Sequence, residues 1–256
     1  MRLKGKVAIV TGGGFGIGGA AAQAMAEEGA IVAVAELDPA SAEQRLASIK
    51  AAGGDGWCKS FDATDGVAMK TFVDETAERY GRIDVLLNTV GGIFARGSIL
   101  EISEDDWDET FRRNVKSTFH SCRAVLPYMQ RQRSGSIINM ASAAGLAARK
   151  RLSAYSATKG AIIALTRQMA ADFGLDGIRV NCICPGPIIT ERSSKRYNAN
   201  PELMQRRAKE QLLGRTGVPG DAAGILVFLA SDESSWITGH AYPLDGGSTA
   251  GQGSDR

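Results

Sequence analysis

Short runs of β-branched and aliphatic residues alternate along this chain with longer stretches whose apolar positions recur at helical spacing. "KVAIVTG" (6–12) reads as a buried strand, since its unbroken apolar run leaves no polar face for water. A glycine-rich turn and an alanine-rich helix to about Glu28 follow, then a second strand, "AIVAVAE" (30–36). Pro39 opens a helix to about Ala52, at the first-turn position where its missing N–H costs nothing. "GWCKSFD" (56–62) is a third, weaker strand, residues 65–80 are helical, and "IDVLLNT" (83–89) is the fourth strand. One long helical region over 103–133 starts at Ser103, with Glu104, Asp105 and Asp106 well placed in its first turn. "GSIINMAS" (135–142) is strand five, 153–173 a helix, and "IRVNCIC" (178–184) strand six. After a long irregular and helical insert, 220–231 is helical and "HAYPLD" (240–245) forms strand seven.

Strictly alternating strands and helices, with continuously apolar strands, predict an α/β fold: a doubly wound, seven-stranded parallel sheet of the Rossmann type, in one domain. The domain runs over 1–247 and includes a substrate segment at 187–215, and a polar tail fills 248–256. A formal charge of +2 gives no reason to expect a nucleic-acid or membrane partner. The four cysteines form no CxxC pair and the two histidines are far apart, so no metal site is expected. The cysteines read as packing residues of a cytoplasmic protein. The uncharged stretch 7–26 is interrupted by six glycines, which argues against a secretion signal.

"TGGGFGIGG" (11–19) lies between the first strand and the first helix. There glycine permits positive φ and lets phosphate oxygens approach free N–H groups at a helix N-terminus. Strand two ends at Glu36, 18 residues beyond Gly18. A carboxylate at that place accepts from both ribose hydroxyls of an adenosine and repels a 2′-phosphate, which favours NAD over NADP. Residues 13–19 contain no basic side chain, and Arg45 falls well inside the next helix.

With Thr11-Gly12-x3-Gly16-x-Gly18 come Asn114 in "NVKS", Ser142 in "NMASAAG", Tyr155-x3-Lys159, and "PGPIIT" at 185–190. In that order, over essentially the whole chain, the sequence resembles the short-chain dehydrogenase/reductase family. The resemblance implies that Tyr155 is the acid/base, that Lys159 lowers its pKa and bonds the nicotinamide ribose, that Ser142 steadies the substrate oxygen, and that Asn114 holds a relay water. It also implies cofactor contacts from Gly12, Gly14, Phe15, Gly16, Ile17 and Gly18 in the turn. Asp62 and Ala63 would meet the adenine, Asn88 would lie at the end of strand four, and Pro185, Gly186, Ile188 and Thr190 would hold the carboxamide and phosphate. Independently of the resemblance, residues i and i+4 share a helix face, so Tyr155 and Lys159 can reach a common site, and a nearby ammonium favours the phenolate. One departure is visible: the family's usual Asn-Asn-Ala-Gly is "NTVG" (88–91) here.

Residues 187–215 hold seven basic residues against three acidic, a net +4. "RKR" (149–151) and Arg96 add guanidinium groups around the same expected pocket. Arg96, Arg149, Arg151 and Arg192 would suit an anionic or polyhydroxylated small-molecule substrate, such as a sugar acid, sulfonated sugar or hydroxy acid. Solvated helix faces, or contacts to a partner subunit, are the competing explanation of these charges. An NADPH-dependent oxoacyl-type ketoreductase and a non-catalytic dinucleotide sensor are the alternative functions, and a nucleic-acid-binding module is a remote third. The family resemblance implies a homo-oligomer, dimer or tetramer.

Overall fold

Each apolar run becomes one strand of a single sheet, and each amphipathic stretch a helix that crosses back over it. The computed structural model describes residues 1–251. Residues 252–256 of the expected tail, and the side chains of Lys195 and Arg196 in the basic segment, lie outside the described residues. In chain order the elements are β1 (Val7–Thr11), α1 (Gly16–Glu27), β2 (Ile31–Glu36), α2 (Pro39–Ala51), β3 (Asp55–Ser60), α3 (Gly66–Tyr80) and β4 (Val85–Asn88). They continue with α4 (Glu104–Phe111), a π-helical turn (Arg112–Lys116), α5 (Ser117–Gln132), β5 (Gly135–Met140) and α6 (Ser153–Phe173). Then follow β6 (Ile178–Pro185), α7 (Glu191–Asn198), α8 (Pro201–Lys209), α9 (Gly220–Ala230) and β7 (Ala241–Leu244).

All seven strands are parallel, in the order β3-β2-β1-β4-β5-β6-β7. Because strand side chains alternate faces, each strand feeds two cores. Ala8, Val10, Val32, Val34, Leu87 and Ile138 pack with Ala21 and Met25 of α1 and Leu226 of α9. Ile9, Ala33, Leu86 and Ile137 pack with Phe72 of α3, Val125 and Met129 of α5 and Met169 of α6. Each fully buried Leu, Ile or Phe contributes roughly 2 kcal/mol of transfer free energy. With both faces covered, only the strand ends and the loops beyond them are open for chemistry. The order reverses between β1 and β4, which opens a crevice beyond the carboxyl ends of these two strands.

Local chemistry sets several helix starts. The Asp38 carboxylate accepts from Ser41 N at 3.0 Å, Asp65 from Val67 N at 2.8 Å, and the Ser103 hydroxyl from Asp106 N at 3.1 Å. Helix α1 has no such side-chain cap and no acidic residue in its first turn. The expected helical region over 103–133 is continuous from Glu104 to Gln132, with α4 and α5 joined by the π turn Arg112–Lys116. Asn114 sits within this turn, and its amide bonds to two other segments, the loop after β4 and α6.

Candidate active site

Helix α6 lays one face on β5 and β6, burying Ala154, Thr158, Ile162 and Ile163. Tyr155 and Lys159 lie one turn apart on it, with Lys159 Nζ 5.7 Å from the Tyr155 ring centroid. Lys159 is only 2% exposed, and its ammonium donates to Met140 O, at the end of β5, at 2.7 Å. Ser142 follows two residues later. Its hydroxyl accepts from Ala144 N at 3.1 Å and lies 3.5 Å from Pro185 O, so the ends of β5 and β6 meet at this side chain.

Asn114 is fully buried. Its Oδ1 accepts from Gly92 N at 2.8 Å, and its Nδ2 donates to Gly92 O at 3.1 Å and to Thr158 Oγ1 at 3.2 Å. One amide thus ties the loop after β4 to α6, on the turn between Tyr155 and Lys159. Gly91 makes room for it: at φ +138°, a Cβ there would overlap Asn114 Oδ1 and stand 3.6 Å from Lys159 Nζ.

Burial pushes the Tyr155 phenol above its ordinary value, against the hydrogen bond from Ser142 and the positive field of Arg96. Burial also pushes the Lys159 ammonium down to about 8. These directions belong to the pocket without a dinucleotide, before the positive nicotinamide ring of an oxidised cofactor joins Lys159 in favouring the phenolate. The low-dielectric pocket that brings the two groups together disfavours both charges.

The glycine turn is held from three sides. Thr89 Oγ1 donates to Thr11 O at 2.6 Å and is 3.2 Å from Gly12 O, so the hydroxyl that replaces the family's second amide clamps β4 to the turn. Glu36 is 7% exposed; its Oε2 accepts from Gly14 N at 3.1 Å and its Oε1 from Leu37 N at 2.8 Å. From the far end of the chain, Glu191 Oε2 accepts from Gly16 N at 3.0 Å. Two turn amides are thus already directed at carboxylate oxygens of the chain itself. The residues present therefore fit a dinucleotide whose phosphates meet the turn at Gly12 to Gly18 and whose ribose meets Glu36.

The remaining expected contacts divide. Ile188 and Thr190 lead from β6 toward the turn, and the Thr190 methyl would lie 3.2 Å from a Cβ on Gly16. Pro185 and Gly186 lie where β6 meets β7, Gly186 N donating to Leu244 O at 3.0 Å. Phe15 and Ile17 flank Gly16 in the turn, at the start of α1. Asp62 accepts from Thr64 N and Oγ1, both at 2.8 Å, and Ala63 beside it is buried. The Asn88 side chain turns inward: it donates to Asn139 Oδ1 at 2.9 Å and accepts from Ser121 Oγ at 2.6 Å, which leaves only its backbone toward the crevice.

The four arginines expected at the substrate do not share one place. Arg151, at φ +59°, pairs with Glu101 at 2.7 Å and pins two loops together. Arg149 Nη2 donates to Ser248 Oγ at 3.1 Å, and Ser248 in turn bonds Asp245 at 3.1 Å. Arg192 lies 4.9 Å over the Phe15 ring, on the cofactor side of the crevice. Arg96 is the one whose charge reaches Tyr155. Contrary to expectation, a basic residue does approach the adenosine end. Helix α2 turns Arg45 back onto the glycine turn, with Nε 3.4 Å from Gly14 O. Arg45 lines a cavity of about 420 Å³ with Phe15, Ser41, Glu191 and Arg192.

A doubly wound parallel sheet with an anion-binding turn at its switch point, and a tyrosine–lysine pair beyond β5, defines a dinucleotide-binding α/β protein of the Rossmann type. The profile of the family described as Enoyl-(Acyl carrier protein) reductase, adh_short_C2, matches residues 13–249. The chain is 38% identical to meso-2,3-butanediol dehydrogenase of Serratia marcescens, over 99% of this chain and 98% of that protein. It is 36% identical to the 3-oxoacyl-[acyl-carrier-protein] reductase of Thermotoga maritima, over 96% and 99%. Among solved structures, NAD+-bound xylitol dehydrogenase is similar with a TM-score of 0.90 and 32% identity, over 95% and 98% of the two chains. The chain belongs to the short-chain dehydrogenase/reductase family, and it is an oxidoreductase by that membership.

Proposed function

We propose that this protein is an NAD-preferring dehydrogenase that interconverts a secondary alcohol and its ketone. The observation that carries this reading is the junction of Tyr155, Lys159, Ser142 and Asn114 beyond the carboxyl ends of β4, β5 and β6. A dinucleotide, when bound, supplies the hydride acceptor or donor. The chain's own residues handle the proton and the oxygen. Tyr155 Oη takes the proton from the alcohol or returns it to the ketone oxygen, and the Ser142 hydroxyl steadies that oxygen. Lys159, anchored on Met140 O, is positioned to offset negative charge on Tyr155 whenever it is protonated. Asn114 fixes Gly92 against Thr158 and so sets the distance between the loop after β4 and the catalytic turn of α6.

Glu36 supports NAD, because its buried carboxylate on Gly14 N stands where a 2′-phosphate would bring a second negative charge. Arg45 beside the same turn favours a second reading, an NADPH-dependent oxoacyl-type reductase. The field of Arg96 at Tyr155 supports a small anionic or polyhydroxylated substrate. A homo-oligomer, dimer or tetramer, is supported by the 98% exposed Trp236 close to the terminal strand β7 and by exposed Phe119 on α5. A cytoplasmic location is supported by four free cysteines.

A panel of secondary alcohols, sugars, sugar acids and hydroxy acids, each with NAD and with NADP and read by absorbance of the reduced nicotinamide, tests this reading. Turnover with NAD on a hydroxyl substrate is expected. A preference for NADP would replace it with the second reading, and binding of dinucleotide without turnover of any alcohol or ketone would point to a sensor.

A further inference from the structure

Three consecutive residues of the basic segment close on the glycine turn from the opposite end of the sequence. The Thr190 methyl lies against Gly16, the Glu191 carboxylate takes the Gly16 N–H at 3.0 Å, and the Arg192 guanidinium lies 4.9 Å over the Phe15 ring. Arg45 on α2 attracts Glu191 from the far side of the same cavity. The contact meets a need of α1. That helix starts at Gly16, has no side-chain cap and carries no acid in its first turn, so the positive end of its dipole has no local partner. Glu191, 175 residues away, is the anion that caps it.

We propose that Glu191 is a removable cap: its carboxylate stands in for a dinucleotide phosphate at the start of α1, and the entering phosphate displaces it. This rests on the dinucleotide reading given above. One N–H cannot serve two anions, and a carboxylate left in place would repel the phosphate, so entry of the dinucleotide and release of Glu191 are a single exchange. Glu191 and Arg192 are the first residues of α7, so the exchange also frees the start of the segment that leads through α7 into α8. At Gly16 N one anion replaces another, the protein's own or the ligand's, while Glu36 keeps Gly14 N. In the protein alone, affinity for the dinucleotide is reduced by the fraction of molecules in which the cap is off.

Glu191→Gln keeps the size and an acceptor but removes the charge. Glu202→Gln, which neutralises the first-turn acid of the neighbouring α8, is the control. NADH affinity of both variants is measured by fluorescence titration, and amide hydrogen exchange is followed in the protein without dinucleotide. Glu191→Gln should bind NADH about tenfold tighter than the unaltered protein, the equivalent of one charge-assisted hydrogen bond lost from the competing state. Its amides at Gly16 to Gly18 should exchange faster, and Glu202→Gln should change neither. Fraying of α7 alone would leave the turn amides and the NADH affinity as they were. Equal or weaker NADH binding by Glu191→Gln, with unchanged exchange at the turn, overturns the cap and leaves the dinucleotide reading standing. Failure of all three proteins to bind NADH overturns that reading, and the cap with it.

Discussion

Gly91→Ala perturbs the junction of the site while leaving Tyr155 and Lys159 themselves unaltered, its Cβ reaching only van der Waals distance, 3.6 Å, from Lys159 Nζ. Two costs add. At φ +138° an alanine is held in a region essentially reserved for glycine, at about 2 kcal/mol. Its Cβ would also overlap Asn114 Oδ1, so the amide must swing away from Gly92. The bonds at 2.8 Å and 3.1 Å between Asn114 and Gly92 are then lost from a fully buried site, at about 1 kcal/mol each or more. The total is about 4 kcal/mol, which for a chain of this length lowers Tm by roughly 8–16 °C. Gly53→Ala separates the two costs, because at φ +81° its Cβ would meet nothing within 4 Å and only backbone strain applies. Thermal melts of both variants by circular dichroism, with turnover measured well below either Tm, provide the assay. Gly91→Ala should melt lower than Gly53→Ala and lose turnover, while Gly53→Ala keeps it. If the two variants melt together and turn over alike, the Asn114–Gly92 junction is not what that glycine protects.

Further outcomes follow from the same geometry. Lys159 titrates at about 8 in the fold against an unfolded value near 10.5, so the unfolded chain binds the extra proton between those values and stability rises with pH across that window. The stability advantage of Lys159→Met over the unaltered protein should therefore shrink as pH climbs from 8 to 10.5, and urea melts across the range would show a constant gap if the ammonium were not strained by burial. Thr89→Val removes the donor to Thr11 O, and should cost about 1–2 kcal/mol and weaken dinucleotide binding; unchanged denaturation and NADH titration would mean that the clamp is idle. Arg96→Ala should raise KM selectively for anionic substrates and Arg151→Ala should not, since Arg151 is held by Glu101; equal effects in steady-state kinetics would remove Arg96 from the substrate site.

The sheet, its order of elements and the position of the tyrosine–lysine pair were legible because they are local: apolar period, glycine and proline punctuation, and i,i+4 spacing. Even the start at Ser103 could be read from its cap, and α6 runs over the expected 153–173. The rest depends on partners distant in sequence. The π turn at Arg112–Lys116 has no local signal; it places the Asn114 amide between Gly92 and Thr158, which only the fold brings together. Arg45 reads as an ordinary helix residue until α2 packs beside Gly14. Phe15 and Glu101, which engage Arg192 and Arg151, are likewise distant from them in sequence. Burial, which raises the Tyr155 pKa and lowers that of Lys159, depends on what covers them and not on their spacing.

The central claim is that Tyr155 moves the proton while the glycine turn and Glu36 hold the dinucleotide. Tyr155→Phe removes one oxygen and leaves the helix, the packing and the turn in place. With NADH titrated by fluorescence and turnover followed on the substrate found active in the alcohol panel, the account predicts affinity within about threefold of the unaltered protein and turnover reduced by about 10²- to 10⁴-fold, the range of a lost general acid–base. Turnover within about tenfold of the unaltered protein, at full dinucleotide binding, would contradict it, because a general acid–base accounts for at least about 10²-fold.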